Sequence, residues 1–252
     1  MDAPTFPIWL HGLAIASLVL GFACAAVIVC DEIKRPPKMW IMALVWPLTA
    51  LFGSVLWLAA YFAWGRGPKP EAHAHQEHHN AQGHHDHQME TKPPFPAMVL
   101  KGASHCGAGC TLGDIIAEWT AFAVPSVAVW FGWQTLFSEK VFAVWILDFV
   151  LAFGLGVAFQ YFTIKPMRDL SPGEGLVAAL KADIASITAW QVGMYGLMAI
   201  IQFGWFTSAY GGMAPVASPE FWFAMQVAML GGFLTSYPVN WWLIRIGVKE
   251  KM

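Results

Sequence analysis

From Ile8 to Cys30 the chain carries no Asp, Glu, Lys or Arg, and the same holds from Met39 to Trp64 and from Ile184 to Phe206. Apolar runs of this length belong either in the middle of a very large core or in a lipid bilayer. The hydrocarbon of a bilayer is about 30 Å thick, and a helix needs roughly 20 residues to cross it. Only 12% of the 252 residues are charged and 57% are hydrophobic, against about a quarter charged in a soluble domain. The runs are therefore read as membrane-crossing helices, and the fold class as all-α and polytopic.

Six spans are expected: Ile8–Cys30, Met39–Trp64, Cys106–Phe137, Val141–Ile164, Ile184–Phe206 and Glu220–Ile246. The first reads as a retained span rather than a signal peptide, because no Lys or Arg precedes it and it is longer than an h-region. Pro36 and Pro37 stop it, and Pro125 is expected to kink the third. Residues 175–183 could form a surface helix before the fifth. The chain divides into an N-terminal two-helix hairpin (1–64), a polar stretch expected to be poorly ordered (65–102) and a four-helix core module (103–252). With both termini inside, ten of the fourteen Lys and Arg fall on the inner side. The positive-inside rule then puts the termini and residues 65–102 in the cytoplasm and the protein in the inner (plasma) membrane. The first turn, with Lys34, Arg35 and Lys38, votes the other way.

The stretch that looks chemical is KGASHCGAGCTLGDIIAE, Lys101–Glu118. If a helix begins near Cys106, then Cys106, Cys110, Asp114 and Glu118 recur every four residues and form one stripe on a helix of 3.6 residues per turn. Thiolate sulfur is soft and selects copper(I), zinc or iron–sulfur clusters. The spacing C-x3-C is not that of a zinc knuckle. His105 stands beside the pair, and Gly107 and Gly109 would leave room for an ion. A helix N-terminus there would favour the thiolate. Without a ligand the same residues read as a glycine-rich helix start with buried thiols.

Asp114 and Glu118, with Asp148 on the next helix, are carboxyls at membrane depth. Such groups are expensive in lipid and normally face a cavity or a partner. They are expected to line a polar cavity that holds a cation or relays protons; a buried hydrogen-bonded lock is the alternative. Two M-x3-M pairs follow, Met194 with Met198 and Met225 with Met229. Each pair shares a helix face, and thioethers suit copper(I), although methionine is also an ordinary filler of apolar contacts. Seven of the nine histidines, His73, His75, His78, His79, His84, His85 and His87, cluster in the polar stretch. Imidazole suits zinc, copper and nickel, so the stretch reads as a metal-gathering loop or a pH-responsive linker.

The strings SHCGAGCTLGDIIAEW (Ser104–Trp119), GVAFQYF, PMRDLSPGEGL, KADIASITAWQVGMYGLMAI and FLTSYPVNWWLIRIGVKEKM carry a resemblance. Over Ala103–Met252 the chain resembles a group of small bacterial and archaeal membrane proteins that share a domain of unknown function. The resemblance implies a membrane-embedded four-helix module with a tie to copper handling.

Net charge is −2, which offers nothing to nucleic acid. No nucleotide-binding loop or nucleophile elbow occurs in a suitable context. The residues are read first as a transition-metal membrane protein, with copper(I) preferred and zinc or another transition metal as alternatives, in transport or homeostasis. The second reading is a membrane oxidoreductase cycling Cys106 and Cys110. The third is a structural or assembly subunit. A non-enzyme is expected. The partners are the bilayer, a metal ion, and a second copy or a larger membrane complex.

Overall fold

A computed structural model describes residues 4–68, 93–168 and 170–250. The described chain is helical throughout, with no strand among the described residues. The main helices are α1 (Ile8–Lys34), α2 (Met42–Ala60), α3 (Phe95–Ala123), α5 (Lys140–Met167), α6 (Pro172–Ala199) and α8 (Pro219–Arg245). Two short helices, α4 (Ser126–Trp130) and α7 (Thr207–Tyr210), lie in connections. A widened π-type turn extends α2 over Tyr61–Gly65, and another joins α6 to α7 over Ile200–Phe206.

Four helical stretches are long and apolar enough to cross a membrane: Ile8–Lys34, Met42–Gly65, Lys140–Lys165 and Pro172–Tyr210. The expected count of six is met only in part. Helices α3 and α8 have 29 and 27 residues, long enough to cross, but their polar residues dilute their apolar character.

Two boundaries differ from expectation for physical reasons. Helix α3 begins at Phe95, not near Cys106. Pro94 is extended at its N-cap and Pro96 lies in its first turn, where a missing N–H is harmless. Cys106 therefore lies well inside the helix, away from any helix N-terminus. The separate surface helix and fifth span are one continuous helix, α6. Its polar start is a capping box: Ser171 Oγ accepts from the Glu174 amide and the Glu174 carboxylate accepts from the Ser171 amide. At Pro125 the chain does not kink but breaks, with α3 ending at Ala123 and α4 restarting at Ser126.

The helices pack in pairs, α1 along α2, α3 along α5 and α6 along α8, and α5 against α6 joins two of them. Backbones touch where side chains are absent. A Cβ on Gly109 would stand 2.7 Å from the Gly156 backbone, and one on Gly113 would stand 2.7 Å from the backbone nitrogen of Ala152. Gly107 faces Trp190, where a Cβ would lie 2.6 Å from the indole. Gly107 and Gly109 thus make room for neighbouring helices rather than for an ion. The hairpin is tied to α8 through Gln226, whose Nε2 donates to Leu51 O (2.6 Å) and whose Oε1 accepts from Ser17 (2.7 Å). His11 and Glu220 add a second tie at 2.7 Å.

Candidate functional site

The four-residue repeat of Cys106, Cys110, Asp114 and Glu118 is helical along its whole length, and all four side chains are buried in the bundle. Each meets a different set of partners as the row turns about α3.

At one end, the Cys106 thiol donates to Asp183 Oδ1 (3.5 Å) and contacts Ser186 Oγ (3.4 Å), both on α6. A third partner comes from beyond α8. Gly247 has φ +77 and lets the chain turn back, with the amides of Val248 and Lys249 donating to Leu243 O. Lys249 thereby enters the bundle. Its Nζ donates to Asp183 Oδ1 (2.9 Å), Cys106 Sγ (3.3 Å) and Ser186 Oγ (3.4 Å). Burial opposes this ammonium, but Asp183 and Cys106 beside it hold its pKa above the ordinary lysine value. Outside, Arg168 pairs with Glu250 and fastens the same tail. Asp183 Oδ2 has no hydrogen-bond partner among the described residues.

Further along, Cys110 lies within electrostatic reach of Asp114, Asp148 and Asp183 and links the two ends of the row. Asp148 Oδ2 accepts from the Tyr195 hydroxyl at 2.8 Å, and that hydroxyl also reaches Trp145 O at 2.9 Å. Asp114 shares a side-chain hydrogen bond with Asp148, carboxyl to carboxyl, and Glu118 is a further acid near it. Glu118 faces Asp148 and Lys140, and Lys140 donates to Ala121 O at 2.7 Å. That end opens into a cleft of about 260 Å³ lined by Glu118, Lys140, Gln202 and Met213. A buried row of ionisable groups thus runs from Lys249 to Glu118, with half-buried Lys140 beyond it.

The remaining expected residues are placed as follows. His105 Nδ1 lies 3.4 Å from Thr163 Oγ1 on α5, and its Nε2 is buried with no partner among the described residues. Met194 and Met198 on α6 and Met225 and Met229 on α8 are buried in one apolar core with Cys106 and Cys110. Among the described residues no three of His, Cys, Asp and Glu come together as a metal ion would need. The histidines 73, 75, 78, 79, 84, 85 and 87 lie outside the described residues.

Asp183, Ser186, Tyr195 and Lys249 belong to the row but carry no motif. In the sequence Asp183 closes the possible surface helix 175–183, and Lys249 lies beyond the sixth span at Ile246. The one available signal is that Asp183 falls on the α6 face that carries Ser186, three residues on.

A second cleft, of about 320 Å³, lies between the hairpin and α3 and α8. Its walls include Phe22, Phe52, Trp119, Trp222, Met225 and Met229, and Asp114 stands in them. Trp119 and Trp222 stack with centroids 6.1 Å apart and planes 15° apart. Phe22 and Trp119 are exposed on the flank of the bundle, so the cleft opens sideways.

The family profile of DUF4396, a domain of unknown function, matches residues 97–249. No curated protein and no solved structure matches.

Proposed function

The chain belongs to the DUF4396 family of domains of unknown function, and because the matched stretch holds the whole buried row from Cys106 to Lys249, we propose that the protein binds and moves a cation through the membrane along α3. The supporting observation is a charge imbalance. Asp183 has Lys249, whereas Asp114 and Asp148 share a hydrogen bond with each other and, among the described residues, Lys140 is the cation beside Glu118. Uncompensated carboxyls in lipid are costly, and a bound cation or proton is what cancels them.

Copper(I) is the cargo these donors suit best. Two thiols lie in the row, and four thioethers share its core. In this reading the two thiols hold the soft ion without a third His, Cys or carboxylate. In this reading α3 and α8 cross the membrane too, giving six spans. The termini and the His-rich stretch lie in the cytoplasm of a plasma-membrane protein, and the histidines of residues 73–87 gather the ion.

The test is elemental analysis and silver(I) or copper(I) titration of the purified protein beside a Cys106→Ser, Cys110→Ser variant. The expected result is a bound ion that the double variant loses. Equal metal content in both would refute the reading and leave the row as a structural lock.

A further inference from the structure

We infer that Met42–Gly65 is a re-entrant hairpin that enters and leaves the membrane on its cytoplasmic side, so that the chain crosses five times and its N-terminus lies outside. The inference does not rest on the cation reading and leaves the row along α3 where it is. It lowers the crossings from six to five, takes the N-terminus out of the cytoplasm and brings the turn after α1 into it.

Helix α2 reverses at Ser54. This residue breaks the helical backbone with φ 44° and ψ −124°, close to the first central residue of a type II′ turn. The contacts on either side are those of two antiparallel arms. Phe52 packs on Trp57 with ring centroids 5.0 Å apart, and Trp46 on Tyr61 at 5.8 Å. A Cβ on Gly65 would run into the Trp46 indole. In an unbroken helix, residues 46 and 65 would stand roughly 28 Å apart at 1.5 Å per residue.

Both arms end beside the last turn of α1. Arg66 pairs with both oxygens of Asp31, and the Tyr61 hydroxyl donates to Asp31 Oδ2 at 2.9 Å. A Cβ on Gly67 would run into the carbonyls of Arg35 and Pro36. In a chain that crossed between them, Asp31 and Arg66 would lie on opposite sides of the membrane. The arm from Met42 to Gly53 is about 18 Å long at 1.5 Å per residue, little more than half of a hydrocarbon about 30 Å thick. Its tip lies inside the bundle. Leu51 O faces Gly21, midway along α1, and Trp57 Nε1 donates to Ser104 Oγ on α3 at 3.1 Å. Turning backbone is tolerated at this depth where protein surrounds it.

Charge fixes the orientation. His11 with Glu220, and Lys140 with Ala121 O, mark the face opposite the arm ends. Of the eleven described Lys and Arg, Lys140 alone belongs to that face, and the other ten lie on the side of the arm ends. The positive-inside rule puts that side in the cytoplasm. Lys34, Arg35 and Lys38, which oppose a six-span layout, agree with this one.

Labelling of cells with a membrane-impermeant maleimide tests the layout. Single cysteines are placed at exposed positions of the whole protein in a Cys30→Ser background: Thr5→Cys, Lys34→Cys, Pro68→Cys and Ser138→Cys. Thr5→Cys and Ser138→Cys should label in intact cells. Lys34→Cys and Pro68→Cys should label only in inverted vesicles. Labelling of Lys34→Cys and Pro68→Cys from opposite sides overturns the hairpin, and the expected pattern with its sides exchanged overturns the orientation. A second measurement does not depend on sidedness. A short bis-maleimide should join Asp31→Cys to Arg66→Cys within one chain, whereas a crossing between them would hold them about 30 Å apart. Absence of that product overturns the proposal.

Discussion

Lys249 Nζ lies 2.9 Å from Asp183 Oδ1, with neither side chain exposed to solvent. Removing one partner of such a pair leaves a bare charge in a low-dielectric interior, which costs about 3–5 kcal/mol. Lys249→Met should lower the thermal midpoint in detergent accordingly. The double variant Lys249→Met, Asp183→Leu should regain most of the loss. Additive losses would mean that the pair is not what holds the tail.

The same pair sets an alkaline limit. The Lys249 pKa is raised in the folded state, so its contribution is complete below the unfolded value of about 10.5 and is lost as pH rises through the higher folded value. The stability gap between the unaltered protein and Lys249→Met should therefore stay constant through neutral pH and close only above pH 10.5. A gap that closes near neutrality would contradict the assignment.

Tyr195→Phe removes the hydroxyl that donates to Asp148 Oδ2. Loss of a bond to a buried carboxylate should cost about 1.5–3 kcal/mol. Chemical denaturation measures this directly. A loss below about 0.5 kcal/mol would mean that Asp148 gains nothing from the hydroxyl.

Gly109→Ala and Gly113→Ala place a methyl 2.7 Å from α5 backbone atoms. Backbone cannot rotate away as a side chain does, so α3 and α5 must part, at about 1–3 kcal/mol. Gly12→Ala has nothing within 4 Å and is the control. Its stability should match or slightly exceed that of the parent, since alanine is the better helix former. Near-neutral effects at Gly109 and Gly113 would refute the close packing.

The four stretches that can cross a membrane were legible because each contains a long apolar run, which has few other places to go even where, as at Asp148, it carries an acid. The C-x3-C, Asp, Glu stripe was legible too, since its spacing depends only on helical geometry. Two helix starts were hidden. Pro94 and Pro96 read as loop formers, although a helix tolerates proline in its first turn, and α3 starts there. The Ser171–Glu174 capping box opens α6 through SPGEGLVAALKAD, a polar segment that hides a continuous helix. The partners of the stripe were illegible for a different reason. Asp183 and Lys249 stand 66 positions apart and take their meaning only from each other. Gly107 and Gly109 were open to two uses, and only the facing Trp190 and Gly156 decide between them.

Lys249 follows the last helix on a glycine turn, so its order of synthesis matters. A ribosome completes α6, with Asp183 in it, well before the tail lysine emerges, and until then the nascent bundle holds an unmatched acid. Final locking of the fold must therefore wait until the segment beyond α8 has been made. A frameshift or a bulky fusion just after Ile246 would strand an inserted but unlatched intermediate, of the kind membrane quality-control proteases remove.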